Sequence, residues 1–258
     1  MSHVYDGLFY DYIRDGALRS ARKVLSVILT HLPVESVLDV GCGEGAWLSV
    51  WKESGVPTVA GIDGDYVSRS RLMIDAGEFQ PYDLAMPFDL GRRFDLAQCL
   101  EVAEHLPEAA AAPLVRSLTR HSDLVLFSAA PPGQGGEDHI SERPYDYWRA
   151  LFADQGYVAL DPVRPLIADD SEVEAWYRFN TLLYVRAERL PLLPEPVRQS
   201  RLAEGQPVPD LSPAAYRLRK AVLRHLSPSW QTRLSRWRYL VRLWFLRRNA
   251  ATTGRSRT

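Results

Sequence analysis

The stretch SVLDVGCGEG, Ser36 to Gly45, runs an apolar, β-branched segment into three glycines at alternate positions, Gly41, Gly43 and Gly45. Such a segment reads as a strand buried on both faces. Glycines at its exit let the backbone take φ > 0 and let a ligand approach the main chain closely. GAWLSVWKESG (45–55) follows and reads as a helix closed by Gly55. The turn therefore ends at a helix N-terminus, whose free N–H groups favour a carboxylate or phosphate.

The same alternation extends in both directions. Upstream, residues 8–32 read as a helix with apolar positions Leu18, Ala21, Val24, Leu25 and Ile28, stopped by Pro33. Downstream, PTVAGID (Pro57–Asp63) predicts a second strand, DYVSRSRLMI a helix, and Phe79–Asp83 a short third strand. FDLAQCLE (Phe94–Glu101) and DLVLFSAA (Asp123–Ala130) predict the fourth and fifth, separated by a helix in PEAAAAPLVRSLTRHS with Pro107 near its start. PYDYWRALFADQGY predicts a helix ending at Gly156, and TLLYVRAE (Thr181–Glu188) a last strand. Strands alternating with helices of this length imply βαβ units and a parallel sheet. No internal repeat is visible.

The length of 258 residues suits one full-size α/β domain with an appendage. The expected division is residues 1–189 as the α/β domain, 190–213 as a proline-rich extended linker, and 214–258 as a basic helical extension with a disordered end. Only Cys42 and Cys99 occur, which argues against a disulfide framework and fits a reducing compartment. The opening MSHVYDGLFYDYIRDG lacks the basic and apolar regions of a signal peptide. No window approaches about 18 uninterrupted apolar residues. The expectation is a cytoplasmic protein. Net charge is near zero, yet residues 201–258 hold 13 Lys/Arg against 2 Asp/Glu, leaving 18 against 30 in the rest. An acidic body with a basic tail raises the question of a partner.

Asp63 ends the second strand about twenty residues beyond the glycine turn, where an acidic side chain can take both hydroxyls of a ribose. A dinucleotide site would show G-x-G-x-x-G. Here the spacing is G-x-G-x-G, with Asp39 two residues before the first glycine. DVGCGEG, together with FDLAQCLEVAEHLP and the acidic Asp83 after the third strand, resembles the class I S-adenosylmethionine-dependent methyltransferases over roughly residues 15–188. The resemblance implies a Rossmann-like, seven-stranded, mostly parallel sheet with flanking helices, and S-adenosyl-L-methionine as cofactor. It implies that Gly41, Cys42, Gly43 and Gly45 line the amino-acid end of the cofactor and that Asp39 helps hold its ammonium group. It further implies Asp63 on the ribose, Asp83 and Leu84 at the adenine, and the backbone of Cys99 and Leu100 near the sulfonium. Apart from those backbone roles, the two cysteines read as small core residues.

LEVAEHLP (Leu100–Pro107) begins where the fourth strand ends, at the carboxyl edge where open α/β sheets bind ligands. Were it helical, Glu101, Glu104 and His105 would share a face. His139 follows the fifth strand at the same edge, in GGEDHISERPYDYW. That stretch, with WYRFNTLLYV (Trp176–Val185), resembles small-molecule and sugar methyltransferases, with Ser141 in place of their usual asparagine. Three readings stay open: a structural strand–helix junction, an acid/base group built on His105, His139 and Glu104, or a divalent-metal site. The catalytic assignment goes to His105, His139 and Glu104, and no residue is assigned as a metal ligand. Small-RNA 2′-O-methyltransferases, which use a metal, and ubiquinone-pathway O-methyltransferases carry a similar E-x-x-E-H.

Near the N-terminus Tyr5, Phe9, Tyr10 and Tyr12 fit either a lid over the cofactor or ordinary packing. In the tail, Trp230, Leu234, Trp237, Val241, Trp244 and Phe245 fall on one helical face, with Arg233, Arg236, Arg238 and Arg242 mostly off it. Such a helix can pack on the body or on a second copy of the chain. It can also lie on an anionic membrane or near a lipid-linked substrate. Binding of nucleic acid is the weaker expectation. The reading is methyl transfer to oxygen on a small molecule or saccharide, such as a secondary metabolite or glycan. The alternatives are a metal-dependent RNA 2′-O-methyltransferase and a cofactor-binding partner subunit without turnover.

Overall fold

A computed structural model describes residues 7–226 together with Trp230 and Arg233, and gives backbone alone for 7–13. Seven strands form one sheet in the order β3-β2-β1-β4-β5-β7-β6. They are β1 (Ser36–Val40), β2 (Thr58–Asp63), β3 (Phe79–Pro81), β4 (Leu96–Leu100), β5 (Leu124–Ser128), β6 (Tyr157–Leu160) and β7 (Leu182–Arg186). Pairing is parallel except at β7, which runs antiparallel to both β5 and β6. The mostly parallel, seven-stranded sheet expected from the resemblance is present.

Strand residues alternate between the two faces. Val37 of β1 joins the core under helix α1 (Gly7–His31) and α2 (Ala46–Glu53), with Val24, Leu25, Ile28 and Trp51. Leu38 and Val40 join the opposite core under α3 (Ala111–His121) and α4 (Tyr145–Ala153), with Leu114, Leu118, Trp148 and Phe152. Burial on both faces explains the unbroken apolar runs in the sequence. At the antiparallel end, Phe152 stacks on Tyr184 of β7 with ring centroids 3.8 Å apart and 11° between planes.

Two expectations need correction, and one strand had no counterpart in the sequence reading. Residues 65–74 form no α-helix, only a single 3₁₀ turn at Arg69–Arg71. The segment is drawn back across the glycine turn instead: Met73 N donates to Glu44 O at 2.8 Å, Arg71 pairs with Glu44, and Ile74 packs under Gly45. Strand β6, four residues beginning just after Gly156, was not read from the residues themselves. The proline-rich stretch 190–213 is also more than an extended connection. It carries the short helix α7 (Glu195–Gln199), a bridge from Arg201 to Leu160, and the buried residues Val197, Val208 and Ser212.

Two further helical turns, α5 (Arg164–Ile167) and α6 (Ala175–Asn180), lead into β7. Helix α8 (Ala214–Leu223) opens the basic extension and packs on the body, with Lys220 buried and paired to Asp210. The side chains of Tyr5, Phe9, Tyr10 and Tyr12, read above as either a lid or ordinary packing, and the tail beyond Arg233, lie outside the described residues. Trp230 is exposed, with Arg233 over its ring at 5.3 Å. Among the described residues no helix is long and apolar enough to cross a membrane.

Candidate active site

The strand order reverses between β1 and β4, so loops leaving their carboxyl ends diverge and open a crevice. The glycine turn forms its floor. Gly41, Gly43 and Gly45 have φ of 83°, 53° and 84°, in the left-handed region that L side chains avoid. A Cβ at Gly41 would lie 2.2 Å from Val102, and one at Gly45 would press on Ile74, so these two glycines permit packing. A Cβ at Gly43 would meet nothing within 4 Å. That open face leaves room for a ligand against the main chain.

Asp63 closes β2 with both carboxylate oxygens engaged. Oδ2 accepts from Gly43 N at 2.7 Å, and Oδ1 accepts from Gly64 N at 2.7 Å and from the Tyr66 hydroxyl. Tyr66 reaches it because residue 64 is glycine: a Cβ there would lie 2.1 Å from the Tyr66 ring. Asp39, one strand inward and buried, faces Gln98, whose Oε1 accepts from Trp51 Nε1 at 2.8 Å. Burial pushes the Asp39 carboxyl up to about 8, the nearby Asp63 charge adds to this, and the Gln98 amide opposes it.

A cleft of about 270 Å³ stands over this floor, lined among others by Gly41, Asp63, Asp83, Leu84, Glu101 and His105. The structure therefore gathers four of the expected cofactor residues, Gly41, Asp63, Asp83 and Leu84, on one opening. Asp39, Cys99 and Leu100 sit in the strands behind it, and Cys42, Gly43 and Gly45 complete the turn. Cys42 and Cys99 are buried, and burial pushes both thiols well up, consistent with core residues.

LEVAEHLP is not a helix face. Glu101 takes φ 55°, and only Ala103–His105 form a single 3₁₀ turn. The left-handed Glu101 points into a cup of amides. Gln134 Nε2 donates to its Oε2 at 2.7 Å and Asn180 Nδ2 to its Oε1 at 3.0 Å, while the Tyr145 hydroxyl donates to Asn180 Oδ1 at 2.8 Å. Burial raises the Glu101 carboxyl, and the two amides oppose the shift. Glu104 differs. It is fully buried and neither carboxylate oxygen makes a well-formed hydrogen bond; burial, then the neighbouring Glu101, pushes it well above the ordinary range, and the backbone at Glu104 and Ala130 opposes the shift. Its carbonyl accepts from Ile140 N and Ser141 N, tying the segment that carries His139 to the end of β4.

His105 and His139 meet edge to face with centroids 4.8 Å apart. His139 Nδ1 lies 2.9 Å from Glu142 Oε1, and Glu142 accepts 2.7 Å bonds from Gly133 N and Gly135 N. With Nδ1–H donating to that anchored carboxylate, Nε2 carries the free lone pair. His105 Nδ1 faces the carbonyl of Asp138, itself at φ 56°. Burial, then His139, lowers the His105 imidazole. One ligand atom from each of Glu104, His105 and His139 lies within 4.8 Å of the others. The sequence reading missed Tyr66, Gln134, Glu142 and Asn180. Only Glu142, three residues after His139, had a legible signal.

A reversed seventh strand, a glycine turn at the switch point and a carboxylate closing β2 define an α/β enzyme that binds a nucleoside cofactor. The family model described as a methyltransferase domain (Methyltransf_23) matches residues 10–154, and the chain belongs to the class I S-adenosylmethionine-dependent methyltransferases. No curated protein sequence matches the chain at a significant level. Among solved structures, the sugar N-methyltransferase KedS8 of Streptoalloteichus is 21% identical, with a TM-score of 0.54 over 72% of this chain and 97% of that one. The magnesium protoporphyrin IX methyltransferase of Synechocystis, with bound S-adenosylmethionine, is 21% identical, with a TM-score of 0.51 over 72% and 86%. The plantazolicin methyltransferase BpumL, in complex with S-adenosylhomocysteine, is 16% identical, with a TM-score of 0.50 over 69% and 88%. At these identities the likeness is one of fold.

Gly43→Ala tests the floor. The φ of 53° makes a methyl there cost about 1–2 kcal/mol in a denaturant melt. Affinity for S-adenosylhomocysteine, measured by calorimetry, is expected to fall by more than about tenfold, because the methyl fills the open face of the turn.

Proposed function

We propose that this enzyme transfers the methyl group of S-adenosylmethionine to a hydroxyl of a saccharide or another small molecule. The observation that carries the reading is the His139–Glu142 pair: a carboxylate fixed by two amides holds Nδ1 of His139, and the His139 ring meets His105, which lines the cofactor cleft, edge to face. In-line attack forms the bond from acceptor oxygen to methyl carbon as the sulfur–carbon bond breaks. Sulfur keeps the electron pair, giving S-adenosylhomocysteine. The hydroxyl proton goes to His139 Nε2, and Glu142 stabilises the resulting imidazolium. Asp63 takes the ribose hydroxyls in place of Tyr66, Asp83 and Leu84 border the adenine, and Asp39 faces the ammonium group.

A second reading is favoured by Glu104, whose buried oxygens make no well-formed hydrogen bond and which lies within reach of both histidines. Glu104, His105 and His139 would suit a divalent ion with mixed nitrogen and oxygen ligands. Such an ion would polarise the acceptor hydroxyl, as an RNA ribose methyltransferase of this type would require.

Transfer of labelled methyl from the cofactor into small-molecule, glycolipid and RNA fractions of host extract, with and without chelator, separates these readings. The proposal expects label outside RNA and indifference to chelator. Label in RNA that disappears with chelator contradicts it. His139→Gln is expected to lower turnover about 10²–10⁴-fold while leaving S-adenosylhomocysteine affinity within about twofold. An unchanged turnover removes His139 as the base.

The Asp39 carboxyl, raised to about 8, is mostly protonated at neutral pH, and an arriving ammonium stabilises the ionised form. Cofactor binding near pH 7 should therefore release a proton, and affinity should rise as pH approaches 8. Calorimetry in buffers of different ionisation enthalpy reads this directly, and Asp39→Asn should abolish the buffer dependence.

A further inference from the structure

The histidine pair stands between two openings. His105 lines the cofactor cleft, while His139 lines a second cleft of about 270 Å³ that shares no lining residue with the first. The walls of the second cleft come from two distant parts of the chain. One is the loop after β5, carrying Gly133, His139 and Arg143. The other is the end of α8, carrying Arg224, with Leu226 just beyond.

These walls are held together by backbone. Gly133 has φ 84°, and a Cβ there would lie 2.0 Å from the carbonyl oxygen of Lys220 and 3.0 Å from Arg224 N. Helix α8 thus seats directly on the loop, and the ion pair of the buried Lys220 with Asp210 fixes it there. The first turns of the basic extension are therefore part of this cleft.

The cleft is electrically one-sided. Its acid, Glu142, already accepts from two backbone amides and faces the His139 ring. Arg143 pairs with Glu108 through Nη2 and lies over the Tyr147 ring, but its buried Nε–H has no acceptor. Arg224 approaches only His225, at 3.3 Å, and no carboxylate pairs with it among the described residues. Beyond α8, residues 227–258 add eight arginines and no Asp or Glu.

We propose that this second cleft is the acceptor site, and that the acceptor carries a phosphate group held by Arg143 and Arg224 while its reacting hydroxyl lies at His139 Nε2. Two guanidinium groups from separate elements suit the several oxygens and double charge of a phosphate better than a single carboxylate. The inference rests on the methyltransferase reading above and narrows its acceptor to a phosphorylated compound, either nucleotide-linked or lipid-linked.

The test titrates inorganic pyrophosphate into full-length protein loaded with S-adenosylhomocysteine. Binding is expected for the parent chain, weakened by salt, and weakened about tenfold or more in Arg224→Gln and in Arg143→Gln. Affinity for S-adenosylhomocysteine and melting temperature should stay unchanged in Arg224→Gln. Absence of pyrophosphate binding overturns the proposal. So does binding that neither substitution weakens, since it would report the arginine-rich tail, which both variants retain. Failure of S-adenosylhomocysteine itself to bind would instead count against the methyltransferase reading. Uridine diphosphate and phosphatidylcholine vesicles containing phosphatidic acid form the second arm. Arg224-dependent binding of the nucleotide supports a nucleotide-linked acceptor, and Arg224-dependent binding of the vesicles supports a lipid-linked one. Dependence in neither contradicts the proposal.

Discussion

The 2.7 Å bond from Gly43 N to the Asp63 carboxylate carries the parallel pairing of β1 and β2 past the end of both strands. Strand pairing stops at Val40–Ile62, the Gly41 and Cys42 amides then share the Ile62 carbonyl, and a side chain takes the next amide. Without that acceptor, a turn in the left-handed region would face the crevice with an unsatisfied N–H. In the proposed function the same carboxylate takes the ribose. Two of its donors are backbone amides that cannot leave, and the third is the side chain of the exposed Tyr66. A ribose hydroxyl can replace the tyrosine hydroxyl for an exchange of about 1 kcal/mol while the turn keeps its support.

At the other end of the crevice, two carboxyl groups three residues apart occupy contrasting environments. Glu101 is forced into left-handed backbone, a cost of about 1–3 kcal/mol, and recovers it through the amides of Gln134 and Asn180. Those amides come from the loop after β5 and from the end of α6, so Glu101 joins three elements beneath the cleft. Glu104 has no such cup, and burial with Glu101 nearby favours its neutral form. A neutral Glu104 leaves the adjoining histidines as the groups able to handle a proton, whereas a cation would let it ionise. The choice between the two readings of LEVAEHLP is therefore a choice of charge on one carboxyl group.

Much of the fold was legible in the sequence because the central strands are buried on both faces and their exits carry punctuation. SVLDVG and FDLAQCL need no context to read as strands, and the glycine spacing with Asp63 pointed to the crevice at the switch point. DYVSRSRLMI failed as a helix because Glu44, Ile74 and the glycine turn make better partners for it than a helix ladder of its own. Strand β6 is too short to show a period, and its antiparallel partner lies more than twenty residues away in the chain. The polar network stayed hidden for a related reason. Gln134 and Asn180 are separated by 46 residues, and only β5 and β7 lying side by side in the sheet brings them to Glu101. The proline-rich stretch 190–213 misled because proline content predicts extension, not the burial of Val197 and Val208 that docks it on the body.

The most direct test of the account is a crystal structure of the full chain with S-adenosylhomocysteine. The account predicts the ribose on Asp63 with Tyr66 displaced, the amino-acid end against Gly41 and Gly43, and sulfur facing the His105–His139 pair. Cofactor bound with sulfur turned away from the two histidines, or bound without contact to Asp63, would contradict it.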